Sequence, residues 1–351
     1  MKPFQLKTVQ YAVLLALGSC LSLTSFAEEN YPTKTITIIN PNLPGGFVDN
    51  VARNLSVILQ KTLKQTVIIV NKPGANGAIG HAAVANASPD GYTLLITSPS
   101  LITQPAIDAL YNRTPIYNLN KLIPIAQITS DPAIILVNQE ANAKTIQEFV
   151  KAAGKAPGAV SISSSGTYGA THLPMAMIEN FSGVKFKHIP TGGGAASMTL
   201  ALGGHVNGLA SAPSVAYPQT QAGKMIALAQ TGPKRLPPYM DLPTLKESNI
   251  NVEYTLWTTI FAPADTPEPI VKKLAQVLRE SIQDEQFKTA LFKGNSTLDY
   301  LDGDAMNQFW KLEIKKLQDT VKQIGKTDDW AANWVEEWAE EYSLTREICL
   351  R

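Results

Sequence analysis

Charge is scarce in this chain. Of its 351 residues only 17% are Asp, Glu, Lys or Arg, below the roughly 25% of an average soluble domain. Thirty basic residues nearly cancel 29 acidic ones, for a formal charge of +1. That balance supplies no electrostatic footprint for a nucleic-acid partner or for adhesion to an anionic membrane. Cysteine is scarcer still, with Cys20 and Cys349 the only two. Because Cys20 lies in a segment expected to be removed, no intrachain disulfide is expected in the mature chain. After that segment no stretch approaches the roughly 18 continuous apolar residues of a membrane span, which argues against a polytopic membrane protein.

Catalytic signatures are missing too. The chain holds no G-x-S-x-G elbow, no H-E-x-x-H pair, no close Cys/His cluster and no G-x-x-x-x-G-K-S/T phosphate loop. Gly74-Ala75-Asn76-Gly77-Ala78-Ile79-Gly80 is glycine-rich but lacks the G-x-G-x-x-G spacing of a dinucleotide site. His81, His172, His188 and His205 are dispersed; apart from His172 they read first as structural or surface residues. The expectation is a protein without enzymatic turnover, cofactor or metal.

What is present begins with an export signal over residues 1–27. Lys2 and Lys7 give a basic start, 9–23 is mostly apolar, and Ser25-Phe26-Ala27 reads as a small-x-small cleavage site ahead of Glu28. Removing the two lysines leaves 28 basic against 29 acidic residues. Leu17-Gly18-Ser19-Cys20 offers a second reading, a membrane-tethered lipoprotein held through Cys20. Export to the periplasm by cleavage after Ala27 is preferred, since the apolar run continues past Cys20.

The mature chain then alternates short β-rich runs with amphipathic ones. Strands are expected over 35–39, 66–70 and 92–97, with helices between them; Val51, Leu55, Ile58 and Leu59 share one helical face. This order predicts an α/β domain with a parallel sheet. A second such region carries strands over 133–137, 160–163, 185–188, 206–210 and 226–229, and helices over 145–153, 173–181 and 195–202. A strand over 254–261 leads into a helix whose buried stripe is Ile270, Leu274, Val277, Leu278 and Ile282, and a last helix covers 304–324. Two α/β regions fit two domains around a cleft. The expected limits are 28–125 for the first segment of domain I, 126–225 for domain II and 226–326 for the return. Residues 327–351 form a tail in which Trp330, Trp334 and Trp338 recur every four residues among glutamates. Packing against the body is its first reading, and partner docking the second.

The loops carry the chemistry. Pro44-Gly45-Gly46 stands between the first strand and its helix, where unpaired amides and the positive helix end receive a carboxylate. Phe47 can lie beside an apolar ligand body. Asp49 in the first helical turn either meets a ligand hydroxyl or water, or caps the amides of Gly46 or Phe47; Arg53 can pair with it across one turn. Ser163-Ser164-Ser165-Gly166-Thr167-Tyr168-Gly169 offers hydroxyls and unobstructed amides, as a ligand loop or as a plain Ser/Gly turn. His172 follows, to donate to a ligand or to hold that loop. Thr191-Gly192-Gly193-Gly194 ahead of a helix is a third candidate, with Gly192 and Gly193 allowing close backbone approach.

In their order these segments resemble the substrate-binding proteins of tripartite tricarboxylate transporters, the extracytoplasmic receptors of the Bug or TctC type. The resemblance runs from Tyr31-Pro32 to about Lys326. Pro44-Gly45-Gly46 with Asp49, Asn71-Lys72-Pro73-Gly74, Ser88-Pro89-Asp90-Gly91-Tyr92, Ser164-Ser165-Gly166-Thr167 with His172, Gly203-Gly204-His205-Val206 and Asp241-Leu242-Pro243-Thr244-Leu245 carry it. It implies a two-domain, periplasmic-binding-protein-like α/β fold of type II-like topology, closing on a small mono-, di- or tricarboxylate that is handed to a membrane permease. It also implies ligand contacts from Pro44, Gly45, Gly46 and Phe47, organised by Asp49. From the opposing side it implies Ser164, Ser165, Gly166 and Thr167, supported by His172. Asn207 and Ser211-Ala212 depart from acidic or Asn-containing positions of many relatives, which favours a simple acid over an amino acid as ligand. Pro99-Ser100 departs from the usual small loop. A ligand-responsive periplasmic sensor or scaffold is the alternative function, and a hydrolase using a loop serine a distant third.

Overall fold

The computed structural model describes residues 31–326. The export segment with Cys20 and the tail with its tryptophans and Cys349 lie outside the described residues. Strand β1 (Ile36–Asn40) is buried along most of its length, as a parallel strand covered by helices must be. Helix α1 (Phe47–Leu63) packs on it through Val51, Leu55, Ile58 and Leu59, all buried. Strands β2 (Val67–Asn71) and β3 (Thr93–Thr97) flank β1 in parallel, joined by helix α2 (Ala78–Ala85). Helix α3 (Ser100–Leu110) follows β3 directly.

The chain then enters β4 (Leu122–Pro132) and crosses through Ala133 into β5 (Ile134–Val137). Helix α4 (Ile146–Ala153), strand β6 (Ser161–Ser164), helix α5 (Leu173–Ser182), strand β7 (Lys187–Pro190), helix α6 (Gly194–Leu202), strand β8 (Gly208–Ser211), helix α7 (Pro213–Gln221) and strand β9 (Ile226–Gln230) build the second unit. Strand β10 (Thr255–Pro263) returns to the first sheet, followed by α8 (Glu268–Ser281), α9 (Glu285–Lys293), β11 (Leu298–Asp302) and α10 (Gly303–Ile324).

Two sheets result, in the orders β11-β4-β10-β3-β1-β2 and β7-β6-β8-β5-β9. We refer to the units as lobes I and II. By sheet membership β4 goes with lobe I and β9 with lobe II, so we propose lobe limits at Ala133 and within 231–254 rather than at 125 and 225. Five elements were not expected from the sequence: α3, β4, α7, α9 and β11. Helices α3 and α7 contain Pro105 and Pro218, and an internal proline removes one ladder donor and interrupts the apolar spacing that signals a helix. Strand β4 is made by its long antiparallel pairing with β10 rather than by local pattern.

Both strand crossings meet at one buried residue. The Thr231 amide donates to the Ala133 carbonyl at 2.9 Å, and its Oγ1 accepts from the Ala133 amide at 2.8 Å. Thr231 Oγ1 donates to the Tyr254 carbonyl at 2.7 Å, while the Tyr254 amide donates back to the Thr231 carbonyl at 2.9 Å. Behind β10, fully buried Trp257 packs edge-on against Trp310 of α10 and donates from Nε1 to Glu313 Oε1 at 3.1 Å. Among the described residues no helix is long and apolar enough to cross a membrane.

Candidate functional site

A cleft of about 90 Å³ lies where the C-terminal ends of parallel strands from both sheets converge, the usual ligand position of open α/β sheets. Lobe I lines it with the loop after β1 (Asn42, Leu43, Pro44, Gly46, Phe47, Val48), with Asn76 after β2, and with Ser98 and Ser100 after β3. Lobe II contributes Ser165, Ala170 and Thr171 after β6, and Gly193 to Ala196 after β7. No lining residue is Asp, Glu, Lys, Arg or His.

The first turns of α1, α3 and α6 open onto this space, and Thr171 stands just ahead of α5. None of these four helices has a side-chain cap; the first-turn amides of α3 and α5 are nevertheless taken by backbone carbonyls (Leu101 to Ser98, Leu173 to Gly169), so the orphan amides that face the site are those at the starts of α1 and α6. By contrast α4 is capped by Thr145 and α9 by Asp284, and neither starts at the cleft. Each positive helix end favours an anion by about 0.3–1 kcal/mol. The arrangement suits negative charge without supplying a cationic side chain.

The lobe I loop is braced from below by Asp49, which is 2% exposed. Its Oδ2 accepts from the Gly45 amide at 3.1 Å and from Arg53 Nε at 2.8 Å. Its Oδ1 accepts from Arg53 Nη2 at 3.1 Å, Asn71 Nδ2 at 2.9 Å and Asn40 Nδ2 at 3.2 Å. Burial pushes the carboxyl up, but the hydrogen bonds from Arg53, Asn71 and Gly45 outweigh it and hold Asp49 below the usual carboxylate range. Gly45 takes φ +85° in this turn, a conformation side chains other than glycine rarely adopt.

The lobe II loop is held by neutral groups. Ser164 Oγ donates to the Gly166 carbonyl at 2.9 Å and meets His188 Nε2 at 2.7 Å. Thr171 Oγ1 accepts from the Ser165 amide at 2.9 Å and donates to Ser165 Oγ at 3.0 Å. His172 Nδ1 accepts from the Tyr168 amide at 2.8 Å, and its ring stacks on His188 at 3.9 Å. The loop is also tied to lobe I, since Thr103 Oγ1 donates to the Tyr168 carbonyl at 3.1 Å and Tyr168 Oη donates to the Gly325 carbonyl at 2.6 Å.

Of the residues singled out in the sequence, Pro44, Gly46, Phe47, Ser165 and Gly193 line the cleft. Asp49, Ser164 and His172 lie behind it, bonded to the loops rather than lining the space; Asp49 meets the amide of Gly45, not those of Gly46 or Phe47. Gly45, Gly166, Thr167 and Gly192 are not among the lining residues. Gly192 instead gives room to Leu43 of the opposite lobe, because a Cβ there would lie 2.9 Å from Leu43 Cδ1.

Sequence reasoning missed Asn42, Leu43, Ser98 and Thr171, and named Asn76 and Ser100 in their loops without giving them a ligand contact. The signal available for three of them was position: Asn76 follows β2, while Ser98 and Ser100 follow β3. Asn207 is away from the cleft, accepting from the Ser161 amide at 2.8 Å, so it says nothing about the charge of the site wall. His81 is a core residue; burial pushes its pKa down to about 3, and Nε2 pairs with Thr97 Oγ1 at 2.8 Å. Among the described residues no group of three or more His, Cys, Asp or Glu could hold a metal ion.

Two α/β lobes joined by two strand crossings, with an uncharged cleft at their seam, define a solute-binding protein of the type II periplasmic-binding-protein fold. Residues 51–326 match the model of the tripartite tricarboxylate transporter family receptors, and the chain belongs to that family. It is 30% identical over 314 residues to a UPF0065 protein of the gbd 5' region of Cupriavidus necator, covering 90% of this chain and 94% of that protein. The periplasmic binding protein BugD superposes with a TM-score of 0.76 at 29% identity, over 84% of this chain and 99% of BugD. MatC from Rhodopseudomonas palustris, solved with bound malate, superposes with a TM-score of 0.75 at 26% identity, over 83% and 99% of the two chains.

Proposed function

We propose that the exported chain captures a small organic carboxylate in the seam between its lobes and hands it to the membrane permease of a tripartite tricarboxylate transporter. Residues 1–27 supply the export signal to the periplasm in this reading. The observation that carries it is the lining itself: hydroxyls, the carboxamides of Asn42 and Asn76, and helix N-termini from both lobes, with no charged side chain. A carboxylate leaving water needs its lone pairs satisfied on arrival, and hydrogen bonds to a charged acceptor are each worth about 1.5–3 kcal/mol. Micromolar capture requires about 8 kcal/mol net, within reach of a few such bonds plus closure over the ligand. MatC, with malate in a related fold, supports the choice of ligand class.

The same lining selects within that class. An ammonium group would meet no carboxylate in the cleft, so amino acids are disfavoured against simple acids. The test is mass spectrometry of ligand released from natively purified protein. Calorimetry of the stripped, folded protein with acetate, malate, citrate and aspartate then follows. Binding of at least one simple acid tighter than about 1 mM, with aspartate weaker than malate, supports the proposal. Uniform affinities weaker than that would overturn it.

A further inference from the structure

We propose that Asn76 reads the ligand: its Nδ2 donates to a carboxylate oxygen in the cleft while its Oδ1 lies beside Gly166 and Gly169 of the opposite lobe. One side chain thereby couples recognition to closure. The inference deepens the carboxylate reading and rests on it.

Seven buried side-chain nitrogen and oxygen atoms have no hydrogen-bond partner among the described residues: Asn76 Nδ2, His81 Nδ1, Gln127 Oε1, Tyr254 Oη and the hydroxyls of Thr129, Thr258 and Thr259. Of the residues that own them, only Asn76 lines the cleft. Leaving a buried donor unpaired costs as much as a lost hydrogen bond, and an arriving acceptor recovers that loss. Nδ2 is a donor only, so it suits a carboxylate oxygen and repels an ammonium or guanidinium group.

The backbone shows how this donor is held in place. Asn76 sits at φ 51° and ψ 34°, the left-handed region that Asn tolerates better than most residues. Gly77 behind it packs against the ring of buried His81, where a Cβ would lie 3.0 Å from Cε1. Across the seam the carboxamide meets glycine on both approaches. A Cβ at Gly166 would stand 3.2 Å from Asn76 Oδ1, and one at Gly169 only 2.8 Å. The acceptor end of the amide thus lies beside Gly166 and Gly169 of lobe II, and the donor end is the one left without a partner among the described residues.

The test compares N76D, which reverses the polarity at Nδ2, with N76G, which keeps the left-handed backbone accessible and deletes the amide. Calorimetry with acetate, malate and citrate is run on all three proteins. N76G is expected to weaken the acid that the wild-type protein binds best by roughly 10- to 100-fold, the factor of a lost charge-assisted hydrogen bond. N76D is expected to weaken it further, because one carboxylate would face another. In spectra of protein labelled at asparagine nitrogen, the side-chain amide pair missing from N76D is expected to shift when the acid is added to wild type. That readout would not move for a residue that merely shapes the turn. If wild type binds an acid and both variants bind it within about twofold, the assignment of Asn76 is overturned and the carboxylate reading stands. If wild type binds none of the three acids, both fall together. Should N76D not fold, N76G and the labelled spectra decide.

Discussion

The two lobes share a strand plan and satisfy their buried polar groups in different ways. Lobe I runs β2-β1-β3-β10-β4 and lobe II runs β7-β6-β8-β5-β9: three parallel strands, then an antiparallel strand, then its own antiparallel partner. Yet the buried carboxylates among the described residues, Asp49, Asp108, Asp131 and Glu313, all belong to lobe I. Buried polar side chains in lobe II are hydroxyls, amides and His172. Equivalent loops therefore hold their amides in place by unlike means. The loop after β1 is anchored to an ionised group with an arginine beside it, and the loop after β6 to neutral donors and acceptors. Buried carboxylates thus brace the interior of one jaw and are absent from the described interior of the other.

The largest consequence is expected at Asp49. D49A strands the Gly45 amide and the Asn40 carboxamide and removes the carboxylate from Arg53 and Asn71, which keep their bonds to each other and to the Asn42 carbonyl. It should cost about 2–3 kcal/mol in urea unfolding, toward the low side for a buried pair because Arg53 is half exposed. Acid affinity should fall with it, since the anchored loop lines the cleft. If D49A unfolds at the wild-type urea midpoint, the anchoring role of this carboxylate is wrong.

Asp131 separates two kinds of buried acid within lobe I. Its oxygens accept from the Ser296 hydroxyl and the Thr297 amide, and no cation stands beside it. Burial raises it to about 6, the opposite direction to Asp49. A raised carboxyl makes the folded state hold its proton longer than the unfolded chain does. Stability from this group is therefore present at pH below about 4 and lost as pH rises toward about 6. Asp49 behaves inversely: its contribution is intact above 3.8 and is lost only as pH falls through its lowered folded value. Melting curves from pH 4 to 7 should slope downward in wild type and flatten in D131N, by on the order of 2 kcal/mol across the window. An unchanged slope in D131N would locate the titration elsewhere.

The smallest effect is expected in lobe II. S164A removes the hydroxyl that joins Gly166 and His188 and should cost about 1 kcal/mol, the net worth of an ordinary hydrogen bond. A loss from S164A exceeding that from D49A would reverse the contrast between the lobes.

Much of this molecule could be read before its structure, and the unread parts have physical reasons. Helices α1 and α8 announce themselves because one stripe each (Val51 to Leu59, and Ile270 to Ile282) meets a single neighbour surface. The Asp49–Arg53 pair is likewise a local fact, four residues apart on one turn. Helices α3 and α7 were hidden by Pro105 and Pro218. Strand β4, with Pro124 inside it and Pro132 at its end, owes its eleven-residue length to β10, more than a hundred positions away in the chain. For the cleft, glycine-rich loops after β1, β6 and β7 were visible as turn chemistry. Asn76, Ser98 and Ser100 could not be placed there, because nothing near them shows that the ends of β2 and β3 arrive at the same place. That convergence exists only in the strand order.

Thr231 engages its amide, carbonyl and hydroxyl with the two strands that pass between the sheets. The lobes are held together away from that point as well, by the Thr103–Tyr168 and Tyr168–Gly325 hydrogen bonds, so a turn about Thr231 would have to part those contacts too.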